Sequence, residues 1–272
     1  MNDWLKKLAL SLVALVIMIS CAGVSEQDRS SAVPASSSAE ISGYLPAQAV
    51  PDSKALLPPP PAPGSAAMAL DEAVSQSNLK LRGTPRWQLA TQDAVLSFPE
   101  AAEIFSCALN APISEQQTPH LYTLLRRTLI DAGRATGAAK KYYQRKRPFM
   151  ENGQPTCTPE DESFLRTNGS YPSGHTSAGW AWALILTEIA PERANAILAR
   201  GRAFGESRIV CNVHWSSDVA EGRVMAAATV ARLHAEPAFR ADLAAAKEEL
   251  AAAWSQGLTP GRDCAAEAHA LE

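Results

Sequence analysis

The chain has 272 residues, of which 46% are hydrophobic and 19% charged, and its formal net charge is −3. This length is sufficient for a sizeable buried core, although the first sixty or so residues look dispensable to one. The near-neutral charge excludes a globally basic protein that binds nucleic acid through its overall field.

Residues 1–21 have the pattern of an export signal. Lys6 and Lys7 precede a largely apolar run over 8–19 that only Ser11 interrupts. The run is shorter than the roughly 20 apolar residues that a membrane span requires. We therefore predict an exported bacterial protein, with a short uncleaved anchor as the alternative.

Cys21 leaves the fate of this signal open. The segment Met18-Ile19-Ser20-Cys21 resembles a bacterial lipoprotein signal, except that Met18 stands where leucine is usual. Ordinary cleavage predicts a periplasmic protein, whereas acylation of Cys21 predicts one tethered to the outer membrane by lipid. Contact with a membrane is therefore expected only if Cys21 carries a lipid.

Two segments of biased composition follow. Residues 22–43 are rich in Ser, Ala and charge, which predicts a flexible tether. Residues 44–66 contain four consecutive prolines, Pro58 to Pro61, and favour extended polyproline across the domain surface. We place the main domain at 44–257 and a C-terminal tail at 258–272.

From about residue 67 onward the pattern is helical, because Ala, Leu, Glu and Arg dominate and no apolar alternation indicates a strand. The stretch from Ala178 to Leu186 is apolar on every face, so its helix, 174–189, is expected at the buried centre of a compact all-α bundle. The predicted helices are 67–79, 86–94, 98–109, 118–136, 138–145, 160–167, 174–189, 191–209, 214–234 and 237–255.

Four cysteines besides Cys21 are available for disulfides. An even number in an exported chain favours two bridges, and four cysteines allow three pairings. We favour Cys107 with Cys157 and Cys211 with Cys264. No cysteine or histidine spacing indicates a zinc site, and no metal or other cofactor is predicted.

Three short segments carry the chemistry: Lys140-(x)6-Arg147-Pro148, Pro172-Ser173-Gly174-His175, and Ser207-Arg208-(x)5-His214-(x)3-Asp218. Two arginines and one lysine can bind phosphate oxygens. Ser173 and Gly174 start the central helix, where free backbone N–H groups favour an anion. On a helix, His214 and Asp218 would share a face, so the carboxylate could orient the imidazole.

Taken together, these segments resemble the signature of the type-2 phosphatidic acid phosphatase superfamily. Within it, the chain is most similar to the class A bacterial non-specific acid phosphatases. The additional matching stretches are Leu57-Pro-Pro-Pro-Pro, Gly83-Thr-Pro-Arg-Trp, Thr118-Pro-His-Leu-Tyr and Gly169-Ser-Tyr-Pro-Ser-Gly-His-Thr. The resemblance implies an all-α fold shared with vanadium haloperoxidases and a metal-independent, vanadate-inhibited phosphomonoesterase of broad specificity. It also makes a homo-oligomer plausible.

The resemblance further implies a role for each site residue. His214 would attack phosphorus and form a phosphohistidine, Asp218 would orient its ring, and His175 would protonate the leaving oxygen. The remaining residues would hold the phosphate oxygens: Lys140, Arg147, Ser173, Gly174 and Arg208.

Other functions remain as alternatives. A nucleotide-preferring or apyrase-like phosphatase would use the same phosphate site, as would a vanadium-dependent haloperoxidase. An inactive phosphate-binding lipoprotein would keep the cations but would tolerate loss of His214 or Asp218, and both are present. The five cations among residues 140–147 could form a nucleic-acid patch, but nothing else in the chain extends it.

Overall fold

A computed structural model describes residues 41–272, so the predicted export signal, Cys21 and almost all of the predicted tether lie outside the described residues. Within 41–272 all regular structure is helical, which confirms the all-α prediction. The α-helices are α1 (Ser53–Leu56), α2 (Ala66–Asn78), α3 (Pro85–Gln92), α4 (Ser106–Leu109), α5 (Pro119–Ala135), α6 (Gly137–Tyr143), α7 (Pro148–Asn152), α8 (Glu162–Leu165), α9 (Gly174–Ile189), α10 (Ala194–Val210), α11 (Ser216–Leu233), α12 (Pro237–Ser255) and α13 (Cys264–Leu271).

The helix α9 lies at the centre of the bundle, as its uniformly apolar sequence predicts. It packs against α5, α10, α11 and α12. Trp182 is fully buried on it and donates its indole N–H to the carbonyl oxygen of Leu125, 2.9 Å away. The rings of Phe98, Phe105 and Phe204 surround the same indole. This buried centre fixes α9 and therefore the position of its first turn.

Small residues let the neighbouring helices approach α9 closely. A Cβ on Gly179 would collide with the ring of Phe204 on α10. A Cβ on Gly222 of α11 would lie only 2.7 Å from the carbonyl oxygen of Ser173, and 2.9 Å from Cβ of Thr176. Close packing at Gly222 thus brings α11 against the start of α9.

Three predicted helices differ from the observed ones, and one of them, 191–209, is the 3-10 turn Pro191–Arg193 followed by α10. The predicted helix 98–109 is a 3-10 segment, Glu100–Phe105, followed by α4. Four of the six residues in that segment are buried, a larger share than one stripe of a surface helix supplies. The predicted helix 160–167 divides in the same way, into the 3-10 turn Pro159–Asp161 and α8.

Within the segment 44–66, residues 57–63 form no helix or strand, as predicted, but Ala47–Ala49 forms a 3-10 turn and Ser53–Leu56 forms α1, which the prediction did not include. Leu57 is buried, while Pro58 and Pro59 are exposed. The hydroxyl of Tyr171 donates to the carbonyl oxygen of Pro58 at 2.7 Å. Since Tyr171 directly precedes the Pro172-Ser173-Gly174-His175 segment, this contact ties the proline-rich segment to the start of α9.

The favoured disulfide pairing is wrong. The bonds join Cys107 to Cys264 and Cys157 to Cys211, with Cα–Cα distances of 5.4 and 4.8 Å. Cys157 and Cys211 meet because the loop after α7 packs on the end of α10 in a small apolar cluster. Cys107 and Cys264 meet because α13 returns to the region of α3 and α4. The residues after 257 are thereby covalently fixed to the bundle.

No helix within residues 41–272 is long and apolar enough to cross a membrane.

Candidate active site

All eight residues singled out in the three segments lie around the first turn of α9. Lys140 and Arg147 come from α6 and the loop that follows it, Arg208 from the last turn of α10, and His214 and Asp218 from the turn and helix after α10. Within this group, Arg147, Ser173, Arg208, His214 and Asp218 are buried, whereas Lys140, Gly174 and His175 are partly exposed. The site therefore opens to solvent on the side of these three residues.

The side chains of His214 and Asp218 are in contact. Nδ1 of His214 lies 3.3 Å from Oδ2 of Asp218, and Nε2 lies 3.1 Å from Nη1 of Arg147. A carboxylate accepts and a guanidinium only donates, so the proton sits on Nδ1 and the lone pair on Nε2. This assignment leaves Nε2 as the nucleophilic nitrogen.

His214 and Asp218 do not share a helix face, although the sequence suggested that they would. α11 begins at Ser216, so His214 precedes it, with Trp215 as the residue before the first turn. The Asp218 carboxylate turns back and accepts the backbone N–H of Trp215 at 2.9 Å, which is usual for an acidic residue in a first turn. The backbone of His214 is also fixed, because its backbone N–H donates to the carbonyl oxygen of Arg208.

Burial and neighbouring cations make His214 a neutral base. Removal from water lowers the pKa of its imidazole well below the ordinary value, and the positive charges of Arg147, Lys140 and Arg208 lower it further. Burial raises the pKa of Asp218, and Arg145 opposes that effect through a 2.6 Å contact with Oδ1. The site thus favours the uncharged imidazole of His214, and the contact with Arg145 favours the charged form of Asp218 against the effect of burial.

Three cations crowd the site without matching carboxylates. Lys140 donates to the carbonyl oxygen of Gly169 at 2.7 Å, and Arg147 donates to the carbonyl oxygens of Leu165, Asn168 and Val213. Within residues 41–272, Nε of Arg208 is buried with no hydrogen-bond partner. Lys140 and Arg147 carry further N–H groups beyond those bonded to carbonyl oxygens, so all three cations can donate to an anion.

Burial lowers the pKa values of all three cations, and repulsion from Arg147 further lowers those of Lys140 and Arg208. Burial lowers the pKa of Lys140 to about 7 and that of Arg147 to about 10. It lowers the pKa of Arg208 to about 10, with repulsion from Arg147 adding to the effect. The negative charge of an anion bound among them would offset both the cost of their desolvation and their mutual repulsion, so the cluster favours an anion.

The start of α9 completes the anion site. Ser173 is the N-cap, and its Oγ accepts from the backbone N–H of Thr176 at 3.2 Å and from the Thr176 hydroxyl at 2.9 Å. Because its oxygen accepts both times, its own O–H remains free to donate. Gly174 is the first residue of α9, so its backbone N–H has no acceptor within the helix, and a Cβ at this position would lie 3.8 Å from Cε of Lys140.

His175 lies at the open side of the site. Its Nε2 is 2.9 Å from the carbonyl oxygen of Ala94, which can only accept, so Nε2 carries a proton. Burial lowers the pKa of this imidazole well below the ordinary value, and Arg208 and His214 lower it further, whereas the Ala94 carbonyl raises it. Nδ1 is then the nitrogen that can gain or lose a proton.

Sequence reasoning missed a group of charged residues behind the site. Arg145 bonds to both Asp218 and Asp71. Ser207 donates to the buried Asp93, which also pairs with Arg200. Arg145 appeared only as one of five clustered cations, and no pattern distinguishes Asp71 or Asp93 from a solvated acid.

Three of the five cations among residues 140–147 point into the protein or the site, so they do not form a nucleic-acid surface.

The described residues contain no cluster of three or more His, Cys, Asp or Glu side chains arranged to hold a metal ion.

Comparison with known proteins gives consistent matches. A family model described as the PAP2 superfamily matches residues 119–239, which include all three segments. The chain is 45% identical over 200 residues to a non-specific acid phosphatase of Salmonella typhimurium, covering 73% of this chain and 80% of that protein. It is 46% identical over 201 residues to a non-specific acid phosphatase of Providencia stuartii (74% and 81%), and 45% identical over 204 residues to an acid phosphatase of Zymomonas mobilis (75% and 77%).

Proposed function

This chain belongs to the bacterial non-specific acid phosphatases of the PAP2 superfamily, and we propose that it is itself an acid phosphatase that hydrolyses phosphate monoesters. One observation carries the proposal: an unprotonated imidazole nitrogen of His214 faces a cluster of three cations and a helix start. A nucleophile beside an anion site is what phosphoryl transfer to a protein group requires.

In the first step, the Nε2 lone pair of His214 forms a bond to phosphorus as the bond from phosphorus to the ester oxygen breaks. The imidazole becomes positively charged, and Asp218 stabilises that charge through Nδ1–H. His175 gives the proton on its Nδ1 to the departing alcohol oxygen. Its position at the open side of the site suits this role, since the leaving group has to exit there.

In the second step, water attacks the phosphohistidine. The now neutral His175 takes a proton from that water, the N–P bond breaks, and the electron pair returns to Nε2 of His214. Phosphate then leaves. The same residue serves first as acid and then as base, as microscopic reversibility requires.

The cations act on the charge that shifts between oxygens during both steps. Lys140, Arg147 and Arg208, with the Ser173 hydroxyl and the Gly174 N–H, would hold the three non-bridging oxygens. Because protein groups neutralise these oxygens, we propose that no metal ion is needed and that specificity for the alcohol part is broad. Vanadate, which adopts a five-coordinate geometry, should inhibit.

The proposed acid requires low to near-neutral pH. The lowered pKa of His175 means that its charged form prevails only in acid in the free protein. A bound phosphate dianion would favour that charged form and raise the pKa in the complex. Activity should therefore fall as the pH rises above that value.

Release of p-nitrophenol from p-nitrophenyl phosphate tests the proposal. We expect activity at pH 5–6 that persists in a metal chelator, and loss of activity in His214→Ala but not in His269→Ala, whose side chain is 73% exposed. Activity that disappears with the chelator, or that His214→Ala retains, would contradict it. A panel of sugar phosphates, aryl phosphates and nucleotides then defines the specificity.

We also propose that the chain is exported. Two disulfides fit an oxidising compartment, and the basic and apolar pattern of residues 1–21 supplies the signal. Intact mass of the mature protein distinguishes a chain acylated at Cys21 from one cleaved in the ordinary way. Light scattering of the same sample tests whether it forms a homo-oligomer.

A further inference from the structure

Arg145 lies between two buried carboxylates, one of them in the candidate active site. Its Nη1 is 2.6 Å from Oδ1 of Asp218, and its Nη2 is 2.7 Å from Oδ2 of Asp71. Asp71 is 1% exposed and lies on α2, while Arg145 comes from the loop between α6 and α7. None of the three segments that define the site contains Asp71, and Arg145 takes no part in either chemical step.

Asp71 also holds the start of α11. Its Oδ1 accepts the Ser216 hydroxyl at 2.6 Å and the backbone N–H of Ser217 at 2.8 Å, and its Oδ2 accepts the Ser217 hydroxyl. Free N–H groups at a helix start need such an acceptor. The next residue after Ser217 is Asp218, so Asp71 fixes the backbone that carries the site carboxylate.

The loop that carries Arg145 is itself fixed to the site. The carbonyl oxygen of Arg145 accepts the N–H of Ser170, and that of Lys146 accepts the indole N–H of Trp215 at 2.8 Å. The guanidinium of Arg145 also lies over the Trp215 ring. Arg145 therefore has little freedom to leave Asp218.

We propose that Arg145 and Asp71 are positioning residues for the nucleophile: Arg145 keeps Asp218 ionised and oriented toward Nδ1 of His214, and Asp71 holds Arg145 and the first turn of α11. This inference rests on the proposed function, because it assigns Asp218 a role in that reaction. The line of contacts runs from Asp71 through Arg145 and Asp218 to His214.

The two residues should affect the acid limb of the pH profile in opposite directions. The charged groups facing Asp218 are Lys140 on α6, Arg145 and Arg147 in the loop after it, and His214 in the turn before α11, with Asp71 on α2 acting through Arg145. Without Arg145, the buried carboxylate protonates more easily. Without the negative charge of Asp71, the guanidinium of Arg145 pairs with Asp218 alone, so Asp218 protonates less easily.

The experiment compares kcat/KM against pH for the wild type, Arg145→Gln, Arg145→Lys and Asp71→Asn. We expect Arg145→Gln to move the acid limb up by about one pH unit, which corresponds to about tenfold in the protonation equilibrium. Its kcat should fall about 10- to 100-fold, the usual cost of losing a partner that orients a functional histidine, with KM little changed. In Arg145→Lys the acid limb should lie between its positions in the wild type and in Arg145→Gln.

Asp71→Asn should also lower kcat, but with an acid limb that stays or moves down. The matched control is Arg202→Gln, which breaks an exposed pair with Glu206 and should change neither quantity. The inference would be overturned if the acid limb of the pH profile lay at the same pH in all variants. It would also be overturned if the acid limb moved up in Asp71→Asn as it does in Arg145→Gln. Circular dichroism and binding of inorganic phosphate confirm that each variant is folded.

If the wild type releases no phosphate, the proposed function fails, and the inference is tested on His214 itself. Nitrogen NMR of the His214 imidazole across pH should show the step caused by protonation of Asp218 at a higher pH in Arg145→Gln than in the wild type. A step at the same pH in both proteins would overturn the inference.

Discussion

Nη1 of Arg147 lies 3.1 Å from Nε2 of His214, the nitrogen that we propose attacks phosphorus. The same guanidinium is anchored to the backbone by three carbonyl oxygens, those of Leu165, Asn168 and Val213. A phosphate within reach of Nε2 is therefore also within reach of Arg147. The contacts of Arg147 therefore position this oxyanion donor beside the nucleophile, Nε2 of His214.

Arg147→Lys should lower kcat/KM by about 100-fold, a loss typical of one misplaced oxyanion donor. A lysine keeps the positive charge but cannot span three carbonyl oxygens and the phosphate with a planar fork. The control is Arg166→Lys, which alters an exposed pair with Glu162 and should leave the kinetics unchanged. Equal kcat/KM in the two variants would contradict the role of Arg147.

Lys140 should make anion affinity depend on pH. Its pKa is lowered to about 7, so it is charged below pH 7 and loses its charge as the pH rises through 7. Sulfate keeps a constant charge over this range, and its inhibition constant should rise about tenfold from pH 6 to pH 8. In the free protein the pKa values of His175 and His214 lie well below 6.5, so Lys140 is the one of these three groups that changes charge between pH 6 and pH 8 before sulfate binds.

Lys140→Met is the matched variant for that measurement. It should bind sulfate more weakly at pH 6 and lose the change between pH 6 and pH 8. A variant that keeps the full pH dependence of the wild type would show that another group is responsible.

The two disulfides should stabilise similarly but differ in their effect on catalysis. The bonds close loops of 54 and 157 residues, for which chain entropy gives about 4 and 5 kcal/mol. Removing either by Cys→Ser pairs should lower Tm by about 10 °C. Cys211 lies 3.9 Å from Nη1 of Arg208, so only the Cys157/Cys211 variant should also lose kcat. Calorimetry and p-nitrophenol release check the two effects.

Gly222→Ala should reduce activity although residue 222 contacts no substrate. Its new methyl group would lie 2.7 Å from the Ser173 carbonyl oxygen, so α11 and the start of α9 would have to move apart. We expect at least about 1–3 kcal/mol of destabilisation, as for other overpacked sites, and lower kcat. Gly137→Ala, at a position where a side chain meets nothing within 4 Å, is the control. Unchanged kcat in Gly222→Ala would contradict this placement of the helix start.

The central part of the fold could be predicted from the sequence. A helix that is apolar on every face has to be buried, and the predicted bounds of 174–189 agree with α9. The segment over 100–105 was predicted less well, because its composition indicates a helix but does not distinguish a 3-10 helix from an α-helix. Local composition describes a helix but does not describe what packs around it.

The front of the site could be predicted, but its support could not. Fixed spacings identify Lys140, Arg147, Arg208, His214 and Asp218, because those intervals match the superfamily signature that the three segments resemble. Asp71 precedes its partner Arg145 by 74 positions, and no local pattern joins them. The disulfide partners could not be predicted for the same reason: only the folded path of the chain places Cys157 beside Cys211.

Trapping the covalent intermediate tests the central claim most directly. The protein is mixed with a phosphomonoester labelled with radioactive phosphorus, quenched in alkali within milliseconds, and digested for peptide mapping. We predict an alkali-stable, acid-labile label on the peptide that carries His214, and no label in His214→Ala. A label on another residue, or steady turnover by His214→Ala at the wild-type rate, would contradict the account.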